Sequence, residues 1–504
     1  MHANSPVRRL PMSNCDLFSV HTDAMTVVLH RALFPMLRTT FLATAVTTFV
    51  TSCASGPDYR APSLPQTAGG PFVSKSNHTD TAQSLPAEWW KLYDDPTLNK
   101  LVQEALTANT GLRVALANLE RARAIYKEVQ SGLIPSTNIS GGAGYGRDQT
   151  TWTGPGQAPT QWSYSGGLDV SYELDLFGRV RRDIEAAQDD TDAVAADYDA
   201  ARVMVVAETT RAYLDACAEG ESIDIAQSSI ELAQRSLDLI SNQVHTGAAS
   251  NLDVERAGVT LAQTQAALPP LQSQRDAALF ELAALMGRTP SQVPASARAC
   301  TKAPMFSGVL PVGDGTALLR RRPDVRQAER QLAGDTARIG VAVADLYPRV
   351  SLGAAGNYLH NDYLKGNRTW SFSVGSLISW TFPNMMEARS RLAQAKAQTA
   401  ASLAHFDGTV LNALKESEQS LSAYNAAMQQ HDALNDARNR AGNAFRLAEE
   451  QYRAGAISYL DVIEAQNNLI DTRSQMVAAD QRIGNARVNV FKALGGGWQK
   501  SSTK

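Results

Sequence analysis

The sequence predicts a mainly α fold with a β-barrel part: long antiparallel coiled-coil helices plus four strands per chain, laid out twice. Three observations carry this. An internal repeat divides the chain, the helical stretches hold an apolar period of seven, and two short stretches alternate with period two. At 504 residues, 44% hydrophobic and 19% charged, the chain can bury a sizeable core and is not of disordered composition.

The repeat sets the domain plan. Residues 244–287 match 452–495 at a constant offset of 208, and residues 133–145 match 346–358 at an offset of 213. Each half reads as helix, hairpin, very long helix, tight turn, helix. The expected divisions are a signal peptide at 1–52, a lipidated leader at 53–96, a first repeat at 97–288, an equatorial linker at 289–315, a second repeat at 316–496 and a short tail at 497–504.

In the last helix Val462, Leu469, Met476, Ile483 and Val490 alternate with Ala465, Thr472, Ala479, Ala486 and Ala493. The first repeat shows the same in Val254, Leu261, Leu268 and Leu282 with Ala257, Thr264, Leu271, Ala278 and Leu285. These are coiled-coil seams, with large residues at one position and mostly small ones at the other, so that helices approach closely. Residues 179–244 would form a helix about 100 Å long, residues 250–287 one of about 55 Å, and residues 97–131 a single helix of about 50 Å. Two shorter helices end to end match one long helix, which suggests a tall helical cylinder with a waist where 289–311 loops out. Gly247 and Gly455 suit helix C-caps, and Ser250 with Asp253 and Ser458 with Asp461 form capping boxes just after them. The tips Gly247, Ala248, Ser250 and Gly455, Ala456, Ser458 therefore each close an αα-hairpin. Pro269 and Pro270 should kink the helix that follows the first tip.

The hairpins follow a different rule. Trp162, Tyr164, Gly166, Leu168, Val170, Tyr172 and Leu174 alternate with Ser163, Ser165, Gly167, Asp169, Ser171 and Glu173; Trp370 through Phe382 repeat the pattern with mostly Ser or Thr between. Aromatic ends, small polar residues between and runs of 10–13 residues fit tilted transmembrane strands. A soluble ribbon with one wet face has the same alternation, so the pattern alone divides evenly. Four strands cannot close a barrel, since the smallest have about eight, and open edges are not tolerated in lipid. A spanning sheet therefore requires an oligomer, eight strands in a dimer or twelve in a trimer.

The N-terminus tips the balance. After Arg38 comes the uncharged stretch 39–52, too short to span a bilayer but suited to a signal-peptide core, ending in Val50-Thr51-Ser52-Cys53. This is similar to the bacterial lipobox, in which the Cys becomes lipidated. Ala54 rather than Asp follows it, which by analogy with lipoprotein sorting favours the outer membrane. The stretch before Met36 is unusually long for such a leader, so translation is expected to start at Met36 or Met25. Pro57, Pro62 and Pro65 then suggest a stiff, extended leader.

Several chemistries are excluded. A net charge of -3 gives no support for nucleic-acid binding. No stretch of 18 apolar residues exists, which argues against a transmembrane helix and not against a barrel. Cys15, Cys53, Cys217 and Cys300 show no CxxC spacing. Cys217 reads as a small seam residue, although a Cys217–Cys300 disulfide is chemically permitted in an oxidising compartment. Gly142-x-Gly144-x-Gly146 lies in a predicted strand with no helix opening after it, so it is no dinucleotide loop. His245 and His405 lack ligand-spaced partners, and no nucleophile or phosphate-loop motif occurs. No catalytic site, metal or cofactor is expected.

Five motifs together are specific: Cys53-x-x-Gly-Pro-Asp-Tyr59, Trp89-Trp90 with Asp95-Pro96, Tyr172-Glu-Leu-Asp-Leu-Phe-Gly178, Leu319-Arg-Arg-Arg-Pro-Asp324 and Gly455-x-x-Ser-Tyr-Leu-Asp461. With the repeat, they make the chain from Cys53 to Trp498 resemble the outer-membrane efflux proteins of the TolC and OprM type, within their lipidated NodT-like branch. The resemblance implies a homotrimer with a twelve-stranded barrel in outer-membrane lipid and an α-helical tunnel through the periplasm of a Gram-negative cell. It also implies docking of the hairpin tips onto a periplasmic membrane-fusion adaptor and an RND inner-membrane transporter, with small molecules as cargo. A channel for type I protein secretion is the alternative within transport; a lipid-anchored periplasmic coiled-coil scaffold is the alternative of another class.

One polar stripe gains meaning from the resemblance. Leu460, Glu464, Asn467 and Asp471 recur at helical spacing off the seam, which by itself describes a solvated face. In OprM-like proteins a Leu and an acidic residue at the positions of Leu460 and Glu464 line the closed periplasmic entrance, so the resemblance implies a gate there. This chain carries Glu464 where Asp is familiar and Asn467 where Arg is.

Overall fold

The computed structural model describes residues 55–498 apart from 64, 65, 75, 84, 150, 151, 153, 248, 305 and 307. In chain order the elements are β1 (Thr79–Asp80), α1 (Pro96–Ala108), α2 (Thr110–Gln130), β2 (Ser136–Gly146), β3 (Gln161–Leu174), α3 (Arg179–His245) and α4 (Asn251–Leu285). They continue as α5 (Ala295–Arg298), β4 (Leu310–Pro311), α6 (Gly315–Arg321), α7 (Pro323–Ala344), β5 (Arg349–His360), β6 (Trp370–Ser379), α8 (Met386–Arg453) and α9 (Tyr459–Ala493). The mainly helical class with an antiparallel sheet is as the periodicities predict. No described helix is long and apolar enough to cross a membrane.

Two compact units divide the chain. One contains residues 125–189 and 332–402, with the N-terminal residues to 61; the other contains residues 62–124, 190–331 and 403–504. The first unit holds an antiparallel sheet of order β2-β3-β5-β6. The second is mainly helical and also holds the short β1–β4 pair. Its core gathers Trp89, Trp90, Leu98, Val206, Leu282, Leu421 and Phe491, with Trp89 stacked on Phe491 at 4.5 Å.

Several seam positions are buried as predicted: Val462, Leu469, Met476, Ile483 and Val490 along α9, and Ala257, Thr264 and Leu282 in the first repeat. The motifs acquire physical reasons. Asp95 caps α1 by accepting from the amides of Thr97 and Leu98, and its other oxygen accepts from the Tyr213 hydroxyl at 2.9 Å. Arg322 is buried; it donates to the Ala493 carbonyl at 2.9 Å, closing the C-terminal end of α9, and to Asp324 and Glu416 at 2.6 and 2.8 Å.

Four expectations need correction. The predicted single helix over 97–131 is two, because Asn109 takes an extended ψ of 128°. Its side chain accepts from the Leu112 amide and donates to the Leu285 carbonyl, so a tertiary partner rewards the break. The stretch 289–311 is not a bare loop: Ala297 and Leu310 are fully buried, and β4 pairs in parallel with β1 of the leader. The leader is accordingly more than an extended strap, carrying β1 and the buried Trp89-Trp90 pair. The last strand ends at Ser379, short of Trp380 and Phe382. Apart from these corrections, the Pro269-Pro270 pair lies within α4, which runs on to Leu285.

Candidate functional site

In the first unit the sheet register sorts side chains by chemistry. Ile139, Leu168, Gly356 and Phe372 lie in one row across the four strands, and Thr137, Val170, Ala354 and Val374 in another. The rows toward one end bring Tyr145 beside Trp162 and Tyr358 beside Trp370, with ring centroids 5.4 and 5.0 Å apart. Strand residues of the opposite parity, on the other face, are largely Ser, Gly, Asn and Asp. A soluble sheet buries its apolar face against another layer. Here every residue of β2 and β6 is exposed, with Ile139 84% and Phe372 86% accessible. Among the described residues both outer strands also offer an unpaired edge. An aromatic-ended apolar band on one face and small polar residues on the other is the arrangement of a membrane strand with a wet interior.

The anchor expected at Cys53 and its neighbour Ala54 lie outside the described residues. The residues just after them are firmly placed. Ser55 donates through its amide and its hydroxyl to the Phe177 carbonyl, at 3.2 and 2.5 Å. Gly56 has a φ of +98°, and a Cβ there would come within 2.5 Å of the Gly340 Cα, so only glycine fits. Asp58 pairs with the buried Arg182 at 2.6 Å. The receiving turn is the stretch after β3: Asp175 accepts from the Val180 and Arg181 amides to start α3, and Phe177 stacks on Tyr347 at 4.6 Å. The motifs at 53–59 and 172–178 are thus two sides of one contact, and the leader begins at the end of β3.

In the second unit both tips form as the capping boxes predict. Ser250 and Asp253, and Ser458 and Asp461, exchange reciprocal hydrogen bonds, and Gly247 and Gly455 take φ values of +77° and +74°. The Ser250 hydroxyl holds the Asp253 carboxyl below the usual carboxylate range, and the Ser458 hydroxyl does the same for Asp461. Gly247, Ser250, Gly455, Ala456 and Ser458 are exposed; Ala248 lies outside the described residues. Leu460, Glu464, Asn467 and Asp471 share the exposed face of α9, away from buried Val462 and Leu469.

Some polar residues of consequence were not singled out by the sequence reading. Gln466 is 1% exposed, beside the seam position Ala465, and accepts from the Ser236 hydroxyl at 2.9 Å. Tyr459, from the last motif, donates to the Ser236 carbonyl at 3.1 Å, and Tyr452 donates to Gln243. Gln466 stands one residue past the seam position Ala465, so the heptad pattern gave no signal for it. His431 lies 3.2 Å from Asp480 of α9 and 3.3 Å from its neighbour Asp432, a pairing that no local spacing reveals. Cys217 is not merely a small seam residue: it is disulfide-bonded to Cys300.

A family model described as outer membrane efflux protein matches residues 101–288 and 316–496. Nodulation protein T of Rhizobium leguminosarum bv. viciae is 29% identical over 459 residues, covering 89% of this chain and 92% of that protein. The antibiotic efflux pump outer membrane protein ArpC of Pseudomonas putida is 30% identical over 470 residues, covering 92% and 96%. Among solved structures, the outer-membrane channel OprN superposes with a TM-score of 0.82 at 34% identity, over 89% of this chain and 100% of that one. The open state of the MtrE outer membrane channel of Neisseria gonorrhoeae gives 0.76 at 25% identity, over 90% and 100%.

Proposed function

Because the chain belongs to the outer membrane efflux protein family, we propose that it is the outer-membrane channel of a tripartite efflux system, a passive exit duct for small molecules. The observation that carries this reading is the four-stranded sheet with an uncovered apolar face and two open edges. Lipid is the solvent such a face requires, and lipid forbids the edges to stay open. Closure by further copies follows, and three copies would give twelve strands. The polar face then lines the exit.

The remaining parts fit the same reading. Cys53 is the acylated residue, and the Ser55–Phe177 and Asp58–Arg182 contacts hold the following leader beside the strand ends. The exposed tips at Gly247 and Gly455 contact a periplasmic adaptor, which couples the duct to an RND-type pump in the inner membrane. Leu460, Glu464 and Asn467 form the constriction at the periplasmic entrance. Relatives named for antibiotic and toluene efflux favour small cargo over secreted protein. A periplasmic scaffold would have no use for an uncovered apolar sheet.

Purified protein added to planar bilayers should produce discrete conductance steps, and expression in a strain lacking its own outer-membrane efflux channels should restore resistance to pump substrates. Folded, membrane-extracted protein that gives no conductance would remove the channel reading and favour the scaffold.

A further inference from the structure

Cys217 stands midway along α3 with no exposed surface, and Cys300 stands in the stretch 298–302 between α5 and β4. Their bond links residues 83 apart and closes a covalent ring that contains the first hairpin tip and all of α4. Within 298–302 every residue except half-buried Cys300 is exposed. The stretch is an exposed arch joined covalently to α3 by this one bond.

Other contacts on the arch are few. Arg275 of α4 donates to the carbonyls of Arg298 and Cys300, at 2.7 and 2.9 Å. Gly220, one turn beyond Cys217, admits the arch backbone: a Cβ there would lie 2.7 Å from the Cys300 carbonyl oxygen. Hydrophobic hold resumes at Ala303, which packs on the core, and at Phe306, 6.0 Å from the Tyr93 ring and 6.3 Å from that of Phe491. The second repeat lacks the bond. Asn425, 208 residues beyond Cys217, donates to the Ser74 carbonyl of the leader at 3.1 Å instead.

We propose that the Cys217–Cys300 disulfide is a redox-operated clasp that fastens the equatorial linker to α3 and releases the 298–302 arch when reduced. It goes beyond the channel reading and does not depend on it. The chemistry is thiol–disulfide exchange. A dithiol reductant's thiolate attacks Sγ of Cys300, the reachable sulfur; the S–S bond breaks, and Cys217 leaves with the electron pair and takes up a proton. The reductant's second thiol then attacks the mixed disulfide and expels Cys300, which is protonated in turn. The dithiol ends as a disulfide and the protein gains two hydrogens. Expelling a thiolate into an apolar core is unfavourable, so the clasp resists weak monothiols and yields to strong dithiols. Closing runs the exchange backwards against an oxidising disulfide.

Limited trypsin digestion of the full-length, detergent-purified protein reads the arch directly, since Arg298 and Lys302 flank Cys300. Reduction of folded protein with dithiothreitol, confirmed by alkylation of both thiols, should speed cleavage after these two residues by about tenfold or more, while cleavage after exposed Arg440 stays unchanged. Cys300→Ser should behave as the reduced protein does without any reductant. Equal rates at Arg298 and Lys302 before and after reduction would overturn the proposal. So would a uniform acceleration at all sites, which would make the bond a staple of the whole fold, or two alkylatable thiols in protein isolated from an oxidising periplasm.

Discussion

Asp215 of α3 accepts a hydrogen bond from Asn485 of α9 at 2.9 Å, across 270 residues of sequence. It belongs to a ladder. Glu208 meets Lys492 at 3.5 Å, Arg211 donates to Asn489 at 2.6 Å, and Gln481 donates to Asp215 and Glu219 at 2.9 and 3.3 Å. Each step along 208, 211, 215 and 219 is matched by an equal step back along 492, 489, 485 and 481. The ladder thereby sets the register of two antiparallel helices whose small seam residues alone would tolerate slippage.

Removing its centre has a calculable effect. Asp215→Ala leaves the Asn485 amide without its acceptor and Gln481 with Glu219 alone, and should lower stability by about 1–3 kcal/mol. Asp215→Asn keeps an acceptor oxygen and should cost less. Thermal unfolding of the purified variants measures both, and equal loss in the two would assign the role to charge rather than to hydrogen bonding.

How far the sequence foretold this architecture depends on the range of each interaction. Heptads, period-two strands and capping boxes are local patterns, so the long helices, the four strands and both tips could be read from neighbours in sequence. The ladder, the Gln466–Ser236 bond and the Cys217–Cys300 bond join residues hundreds or tens of positions apart, and nothing within one helix announces the partner. Four cysteines allow three connectivities, and one of them standing in a lipobox left the rest ambiguous. Asn109 shows the same limit from the other side: helical periodicity runs through it, and the break is fixed by the Leu285 carbonyl.

The faces of the sheet should respond oppositely to charge. Leu168 lies mid-strand in the apolar row, and Ser165 points to the other face. Leu168→Arg should destabilise the membrane-inserted protein by about 2–4 kcal/mol, as for a basic residue facing the bilayer midplane. Ser165→Arg should leave insertion intact and alter ion selectivity. Unfolding in lipid vesicles and bilayer conductance separate the two; equal tolerance at both positions would count against a lipid-facing side.

Acylation at Cys53 predicts incorporation of labelled palmitate into the wild-type chain and none into Cys53→Ser. Lipidation adds about 0.8 kcal/mol per buried methylene, a contribution separate from the barrel's own insertion. The variant is therefore expected still to reach the membrane if Ser55 and Asp58 dock as they do here. Equal labelling of both chains would remove the anchor.

At the second tip Gly455 has a φ of +74° and nothing within 4 Å of a Cβ built on it. Asn tolerates this backbone, so Gly455→Asn should preserve both fold and efflux. Gly455→Trp adds bulk to a surface proposed to meet the adaptor, and should abolish efflux at unchanged outer-membrane levels. Full efflux from the Trp variant would place the docking surface elsewhere.

Glu464 offers the sharpest test of the entrance. It lies on the exposed face of α9 and has no hydrogen bond or ion pair among the described residues, whereas Glu449 of α8 lies 3.8 Å from Arg453. In a trimer three copies of the stripe would approach one axis. Like charges about 8 Å apart repel by roughly 2 kcal/mol per pair at an effective dielectric of 20. Asn467, one turn on, can hydrogen-bond a carboxylate without neutralising it, so this ring keeps its negative field and attracts cations. Glu464→Ala should therefore weaken cation preference and change single-channel conductance, while Glu449→Ala, which removes only an exposed pair within one helix, should change neither. Identical conductance and selectivity in wild type and Glu464→Ala would return the stripe to an ordinary solvated helix face.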